Sequence, residues 1–435
     1  MLTQGENDLI TRVGSGTLLG EFWRRFWIPA VLSAELPGAD CPPVRVRLLG
    51  EDLVAFRASD GSAGLLAAAC PHRGASLFFG RNEEDGLRCV YHGWKFDAAG
   101  VCVDMPNEPA DSNFKHKIRQ TAYACTEQGG IVWTYMGPPQ SMGELPEMEW
   151  MLVAEEQRYV SKIWVECNYL QAIEGDLDNS HSVFLHGKLG GAPGTPFRER
   201  LALAAGTIGS ALPDTLSRVR AQDTAPRGML KETDYGIMMG WQRNATDDSY
   251  WWHINHFMLP GYTMIAGPPG RTLLCNLQIP MDDGNTWYYR VSWNPQRPLN
   301  SEEIESYVSG GVRYPELIPG SFRPLENKDN DYLIDRAVQR ASSFTGIKSI
   351  TQQDRGVQES MGPICDRTRE HLGTSDVVII ALRNQILRIA NEIHVGDVPF
   401  CARTGAVYRM RPVDVVLPRD VAWAEAATGL MTVTV

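Results

Sequence analysis

The sequence predicts an α+β chain of two unequal parts: a small all-β unit over residues 44–145 and a larger unit of strands and helices over 146–435. A helical segment, residues 1–43, precedes them and is expected to pack on the larger unit. Three observations predict this division. Between residues 44 and 140 the apolar residues come in short runs or in alternation between Gly-rich turns, which is the pattern of strands. From Gly137-Pro138-Pro139 to Trp150 the chain is rich in Gly, Pro and Glu and reads as a connector. Beyond it, helical patterns at 168–186, 300–345 and 377–391 surround at least four strand-like segments within 233–293. At 435 residues the chain is too long for one small β domain, so a second, larger core is expected.

Composition sets outer bounds. The net charge of −11 argues against nucleic acid as a partner. The first ten residues, MLTQGENDLI, lack the basic and apolar regions of a signal peptide. No apolar run approaches the roughly 20 residues of a membrane span; the longest lies around Val377–Leu382. Seven of the nine cysteines are scattered singly, at 41, 102, 125, 167, 275, 365 and 401, which suggests reduced thiols in a cytoplasmic protein without a membrane partner.

Taken in order, residues 7–27 read as an amphipathic helix capped by Asn7 or Asp8 and ending in a solvated Arg24-Arg25 pair. Pro29 and Pro37 break the chain. Val44–Leu49, Glu51–Arg57, Gly64–Ala69 and Ile131–Met136 are strands, with Cys102 and Cys125 in their core. Tyr159–Glu166 is a strand entering the second unit. Asn168–His186 reads as one helix with Asn168 as N-cap. The Ala/Gly/Leu-rich stretch from Leu201 to about Leu212 is either a loop over a pocket or interior filler. In Trp251–Leu259, period-2 alternation puts His253 and His256 on opposite faces, and His256 reads as a core or pocket histidine. Val377–Asn391 is an amphipathic helix with Arg383 and Arg388 on a solvated face.

The chemistry begins at Cys70–Trp94, CPHRGASLFFGRNEEDGLRCVYHGW. Cys70 and His72, then Cys89 and His92, offer two thiolates and two imidazoles, one of each per loop. That set can hold a [2Fe–2S] cluster with two Cys on one iron and two His on the other, and Gly74 and Gly93 let the backbone close over it. Zinc is the competing occupant, but C-x-H is too short for the usual C-x₂₋₄-C knuckle. The two loops, their order and the Gly after each His resemble the Rieske proteins. Quinol-oxidising members of that family have an extra Cys in each loop that forms a disulfide. Ala75 and Tyr91 stand there in this chain, so the resemblance is to the low-potential type of ferredoxins and oxygenases.

Asp178, His181 and His186 form D-x-x-H-x₄-H. On a continuous helix Glu174, Asp178 and His181 share one face, whereas His181 and His186 diverge by about 140°, so the helix must end or distort between the two histidines for both to reach one ion. Two His and one carboxylate leave open positions, the arrangement of non-haem Fe(II) oxygenases. Beside the Cys/His loops this motif makes the whole chain resemble the oxygenase (alpha) component of Rieske non-haem iron aromatic ring-hydroxylating oxygenases. The phthalate dioxygenase-like group is nearest, through FWRRFWIPAVLSAELPGADCPPVRVRLLGEDLVAFR, NKDNDYLIDRAVQR and QESMGPICDRTREHLGTSD.

The resemblance implies an N-terminal Rieske domain and a catalytic domain of helix-grip type, an antiparallel sheet flanked by helices. It implies His181 and His186 as ligands of a mononuclear Fe(II), and Asp178 as the bridge from His181 to the cluster ligand His92. The carboxylate ligand is expected to be Asp354, which precedes Glu359 by five residues in QQDRGVQESMG; Asp335 and Asp366 are the alternatives. It further implies O₂ as co-substrate and head-to-tail homotrimers, alone or stacked. A separate NAD(P)H-dependent reductase, with flavin and a plant-type [2Fe–2S] centre, is expected because the chain has no dinucleotide fingerprint and no C-x₄-C-x₂-C run. The activity implied is hydroxylation, by cis-dihydroxylation, of an aromatic carboxylate of phthalate or benzoate type. Monooxygenation or O-demethylation of an aromatic ether and a Rieske electron carrier without oxygenase activity are the competing readings. An aromatic acid needs a buried cation, and Arg has the planar fork for a carboxylate. The candidates are Arg218, Arg220, Arg227 and Arg243, of which Arg243 is favoured because it ends the apolar run GIMMGWQ.

Overall fold

Two antiparallel sheets organise the chain. In this computed structural model every residue is described except 193, 204–215, 217–218, 221, 268–269, 395–397 and 435. The smaller sheet has six strands in the order Trp27–Leu32, Ile131–Tyr135, Ala122–Gln128, Ala63–Ala67, Glu51–Arg57 and Val44–Leu48. A four-stranded sheet, Arg81–Glu83, Gly86–Arg88, Lys95–Phe96 and Cys102–Asp104, carries the cysteine–histidine loops. The larger sheet runs Arg158–Val165, Asn285–Trp293, Leu273–Asp282, Tyr262–Ile265, Ser249–Met258, Gly236–Asn244 and Arg227–Thr233. Its strand Ser249–Met258 divides its partners: Ser249–Ile254 pairs with Val413–Pro418, and His256–Met258 with Tyr262–Met264. Helices Tyr169–Leu177, Ile350–Ser360 and Val377–His394 accompany this sheet. The α+β class and the antiparallel sheet flanked by helices are therefore as the sequence predicts.

One face of the large sheet looks at the helix Tyr169–Leu177. Thr263, Asn276 and Gln278 all donate hydrogen bonds to Asp176 on that helix. Thr263 lies opposite Phe257, and alternation then puts Asn255, His253 and Trp251 on the same face. Trp251 in turn pairs with Arg243. His256 points the other way, with its Nδ1 2.8 Å from the Tyr235 hydroxyl and its Nε2 3.0 Å from the Arg411 carbonyl. The opposite placement of His253 and His256 and the core role of His256 hold.

The two sheets share one apolar core, which includes Trp23, Ile28, Trp133, Tyr169, Phe257, Tyr262, Trp293 and Leu382. A separate cluster with Phe56, Leu77, Leu87, Trp94 and Phe96 supports the loops and buries Cys70 and Cys89. Backbone bonds also join the sheets: the Leu49 and Gly50 amides donate to the Pro280 and Met281 carbonyls at 3.0 and 2.8 Å.

Several local expectations are corrected. The first helix is Gln4–Thr11 and its cap is Thr3, which closes a capping box with Glu6; neither Asn7 nor Asp8 caps it. Asn7 is buried instead and donates to the Cys365 carbonyl. A second helix, Leu18–Trp23, follows. Pro29 does not break the chain but sits in the strand Trp27–Leu32, where the register shifts between Pro29 and Val31. That strand is at the sheet edge, where a missing N–H is tolerated. It also brings residues from before position 44 into the small sheet.

Charges were the least legible feature. Arg24 is buried and paired with Glu51, not solvated. Arg383 is likewise buried rather than on a wet face, while Arg388 stays exposed. Arg383 and Arg367 converge on Glu174, at 2.7 and 2.8 Å, and Arg383 also pairs with Glu370. Burial raises the Glu174 carboxyl, but the two guanidiniums outweigh it and hold it below the usual range. Removing one member of such a buried set strands the others. Glu174→Ala is expected to cost about 3–5 kcal/mol in denaturant unfolding; a loss under about 1 kcal/mol, typical of surface pairs, would contradict the network.

Candidate metal centres

The two cysteine–histidine loops are structural duplicates. The Cys70 amide donates to the Ala75 carbonyl at 2.8 Å and the Gly74 amide to the Cys70 carbonyl at 2.9 Å. The Cys89 amide donates to Trp94 at 2.8 Å and Gly93 to Cys89 at 3.0 Å, with the same offsets. Each loop turns at its glycine, with φ of 77° at Gly74 and 78° at Gly93. The His72 and His92 ring centroids are 4.4 Å apart, and His72 stacks on Trp94 at 4.3 Å.

The donor set fits an iron–sulfur cluster. Burial, with the neighbouring Cys89 thiol adding to it, pushes Cys70 up to about 11, a cost that a metal cation would reverse by binding the thiolate. Nδ1 of His72 is buried with no hydrogen-bond partner among the described residues. An orphaned imidazole nitrogen beside two buried sulfurs is what a cluster with both ligand types would satisfy. All nine cysteines are free, as Ala75 and Tyr91 imply.

The second centre forms where a helix stops early. Asn168 caps the helix Tyr169–Leu177 by accepting from the Leu170 amide. It does not continue to His186: Asp178 is its extended C-cap, and a short helix, His181–Phe184, follows. That short helix stops at Phe184, so the helix does end between the two histidines as the sequence requires, and a first break already falls before His181. Its cause is local, since Asp178 Oδ1 accepts from both the amide and the hydroxyl of Ser180 at 2.7 Å, an alternative to helical bonding that Asp offers readily. Glu174 consequently belongs to the arginine network and shares no site with the histidines.

The break lets both rings converge. His181 Nε2 and His186 Nε2 are 3.2 Å apart, and Asp354 Oδ1 lies 3.6 Å from the first and 3.2 Å from the second. Ligands at right angles on an ion with bonds of about 2.1 Å lie about 3 Å apart. His186 Nδ1 is 2.7 Å from the Gln353 amide oxygen, and His181 Nδ1 is 3.4 Å from Asp178 Oδ2. With hydrogens on both Nδ1 atoms, three lone pairs face one another. Burial lowers His181, but Asp178 and Asp354 outweigh it and raise it overall. Burial raises Asp354, yet His186 and His181 hold it below the usual carboxylate range. The arrangement calls for a cation, and these three residues could hold one.

Asp335 and Asp366 are elsewhere occupied: Asp335 caps the helix Arg336–Ala341, and Asp366 accepts from Thr368. Arg243 is buried, not a solvated strand end. Its Nε donates to the Asp223 carbonyl at 3.1 Å, its Nη2 is buried without a partner among the described residues, and its guanidinium lies 5.6 Å from the Trp251 ring centroid. Burial first, and the like charge of Arg220 second, push Arg243 down. Arg220, whose Nε is buried without a partner among the described residues, acts electrostatically on His181 as well. Arg227 is exposed at the start of an edge strand. Arg218, and most of the stretch 201–212, lie outside the described residues. Sequence reasoning missed Gln353 and the His253–Asp414 pair at 2.7 Å; neither has a spacing that marks it.

Comparison with known proteins agrees with this geometry. Residues 26–122 match the Rieske [2Fe-2S] domain, and residues 134–432 match the family described as LigXa C-terminal domain like. The 3-chlorobenzoate-3,4-dioxygenase oxygenase subunit of Comamonas testosteroni is 36% identical, across 98% of this chain and 97% of its own. The chain belongs to the Rieske non-haem iron oxygenases. The phthalate 4,5-dioxygenase oxygenase subunit of Pseudomonas putida is 35% identical over 98% and 94% of the two chains. The same fold occurs in the solved structure of the Pseudomonas putida CBB5 NdmA QL mutant with theobromine, with a TM-score of 0.59, 19% identity and coverage of 92% and 98%. As a Rieske oxygenase the chain is an oxidoreductase with a [2Fe–2S] cluster and a mononuclear iron, and membership implies O₂ and a reductase as partners. No described helix is long and apolar enough to cross a membrane.

The loop geometry makes its own prediction. A Cβ at Gly93 would lie 2.6 Å from Pro106 Cγ, whereas one at Gly74 meets nothing within 4 Å. Both substitutions strain a left-handed backbone by about 1–2 kcal/mol. Gly93→Ala is therefore expected to lower cluster content, measured by visible absorbance and sulfide, more than Gly74→Ala. The reverse order would contradict the loop packing.

Proposed function

We propose that this chain is the terminal oxygenase of a two-component system that hydroxylates an aromatic carboxylate of phthalate or benzoate type, with cis-dihydroxylation as the reaction. Both oxygen atoms of O₂ enter the ring, and two electrons from the reductase with two protons complete the balance. The observation that carries this reading is the convergence of His181, His186 and Asp354. A Rieske electron carrier has no use for a second donor set with open positions. The curated relatives are named as dioxygenase oxygenase subunits for 3-chlorobenzoate and phthalate, which supports an aromatic acid.

In this reading Cys70, Cys89, His72 and His92 hold the cluster, and His181, His186 and Asp354 hold the iron. When bound, the cluster supplies single electrons and the ferrous ion supplies the open positions at which O₂ is activated. Asp178 orients His181 and bridges it to His92 of a neighbouring subunit in a head-to-tail trimer, an interface type that closes into a ring. Val90 and Tyr91, exposed beside His92, suit such docking. Arg243 receives the substrate carboxylate, which offsets a buried guanidinium that feels the like charge of Arg220. The proposed domains are residues 1–43, 44–145 and 146–435, with Trp27–Leu32 of the first lending the edge strand of the small sheet, and the protein acts in the cytoplasm.

Aromatic acids screened for substrate-dependent O₂ uptake decide the reaction. A product heavier by two oxygens and two hydrogens supports cis-dihydroxylation, and one heavier by a single oxygen, or lacking a methyl group, replaces it with the monooxygenase or O-demethylase reading. Asp354→Ala is expected to lose the mononuclear iron and keep the cluster, and retention of that iron would refute the ligand assignment. Arg243→Met removes a charged hydrogen-bond partner worth about 1.5–3 kcal/mol, roughly 10- to 100-fold in KM. That rise should appear for an aromatic acid and not for its amide; equal effects on both would remove Arg243 from the pocket.

A further inference from the structure

Two adjacent residues of the helix Ile350–Ser360 reach the ring of His186 from opposite sides. Asp354 Oδ1 lies 3.2 Å from Nε2, and Gln353 Oε1 lies 2.7 Å from Nδ1. Gln353 is fully buried. Its amide nitrogen donates to the Ile347 carbonyl at 2.7 Å.

That second bond removes the usual ambiguity of an amide. A backbone carbonyl only accepts, so the NH₂ group must face Ile347 and the oxygen must face the imidazole. The oxygen also only accepts, so Nδ1 of His186 must carry the hydrogen and Nε2 the lone pair. Turning the amide over would press Oε1 against the Ile347 carbonyl and force the ring hydrogen onto Nε2. There it would point into the 3.2 Å gap to His181 Nε2 and block the centre. His181 is oriented differently, by the partly exposed carboxylate of Asp178. The two rings thus have unlike supports, a charge for one and a locked neutral amide for the other.

We propose that Gln353 is a positioning residue that fixes the tautomer and ring plane of His186 and so sets the affinity of the mononuclear site for ferrous ion. The inference rests on the reading of His181, His186 and Asp354 as iron ligands. Outer partners of this kind are worth 10- to 100-fold in metal affinity.

The test uses full-length protein with its cluster in place, and reads ferrous affinity by chelator competition beside iron and sulfide content. Gln353→Leu is expected to bind ferrous ion about 10- to 100-fold more weakly with the cluster content unchanged. Gln353→Met repeats this with an unbranched side chain that stresses the core less. Gln353→Glu keeps an acceptor for Nδ1 and should hold iron much more tightly than the Leu and Met variants. A role in packing alone predicts the opposite order, with the apolar variants harmless and the buried carboxylate harmful. Wild-type affinity in Gln353→Leu or Gln353→Met, or the packing order, would overturn the proposal. Asp354→Ala, run alongside, separates the two levels. Iron retained there sinks the ligand reading itself, whereas iron lost there but kept in Gln353→Leu sinks only the role of Gln353.

Discussion

Three lone pairs pointed at one another are the constraint around which the catalytic half of this molecule is built. The Nε2 atoms of His181 and His186 and Oδ1 of Asp354 stand 3.2–3.6 Å apart. Each is turned inward by a bond on its far side or by its place on a helix. Without a cation such a triangle is self-repelling, and it persists only if the surrounding structure over-determines it. Burial alone would neutralise these groups; the mutual approach of two imidazoles and a carboxylate makes them a receptor for a metal instead.

The over-determination comes from polar contacts between segments distant in sequence. Gln171, on the helix that leads to Asp178, donates to the Gln358 and Gly362 carbonyls at 2.9 and 3.0 Å and accepts from the Cys365 amide at 2.8 Å. Glu359 accepts from the Glu166 amide at 3.0 Å. These bonds fix the helix Ile350–Ser360 against the helix Tyr169–Leu177, so Asp354 meets histidines that precede it by more than 160 residues. The Asp176 cluster then ties the second helix to the sheet, and Arg355 closes the set by lying 3.9 Å from the Tyr288 ring centroid. The same sheet face carries Arg243, so one scaffold holds both the triad and the residue proposed to meet substrate.

What could be read from the sequence was what is decided locally. The cysteine–histidine loops were legible because C-x-H, C-x-x-H and a following glycine specify a turn without outside help. Strands such as Glu51–Arg57 were legible from their own residues. The pairing of Asp354 with Glu359 was a useful mark because Glu359 anchors the helix that presents Asp354. Illegible features are those settled by remote partners or by competing local bonds. Arg383 resembles any solvated helix arginine until Glu174, 209 residues away in the chain, is beside it. The break at Asp178 depended on whether its carboxylate bonded Ser180 or faced a helical neighbour, and periodicity cannot choose between them. Pro29 was misjudged because edge position in a sheet is a property of topology. Gln353 carries no signal at all, since a glutamine in a helix is ordinary until its two amide atoms find an imidazole and a carbonyl.

One chain thus holds two separate iron centres of different donor chemistry. Iron and acid-labile sulfide counted on the purified protein, with EPR of the reduced state, test it most directly. Two centres give about three iron and about two sulfide atoms per chain, a rhombic signal of Rieske type, and loss of about one iron to a ferrous chelator with that signal intact. Two iron atoms per chain with no chelatable fraction after reconstitution with ferrous ion would contradict it.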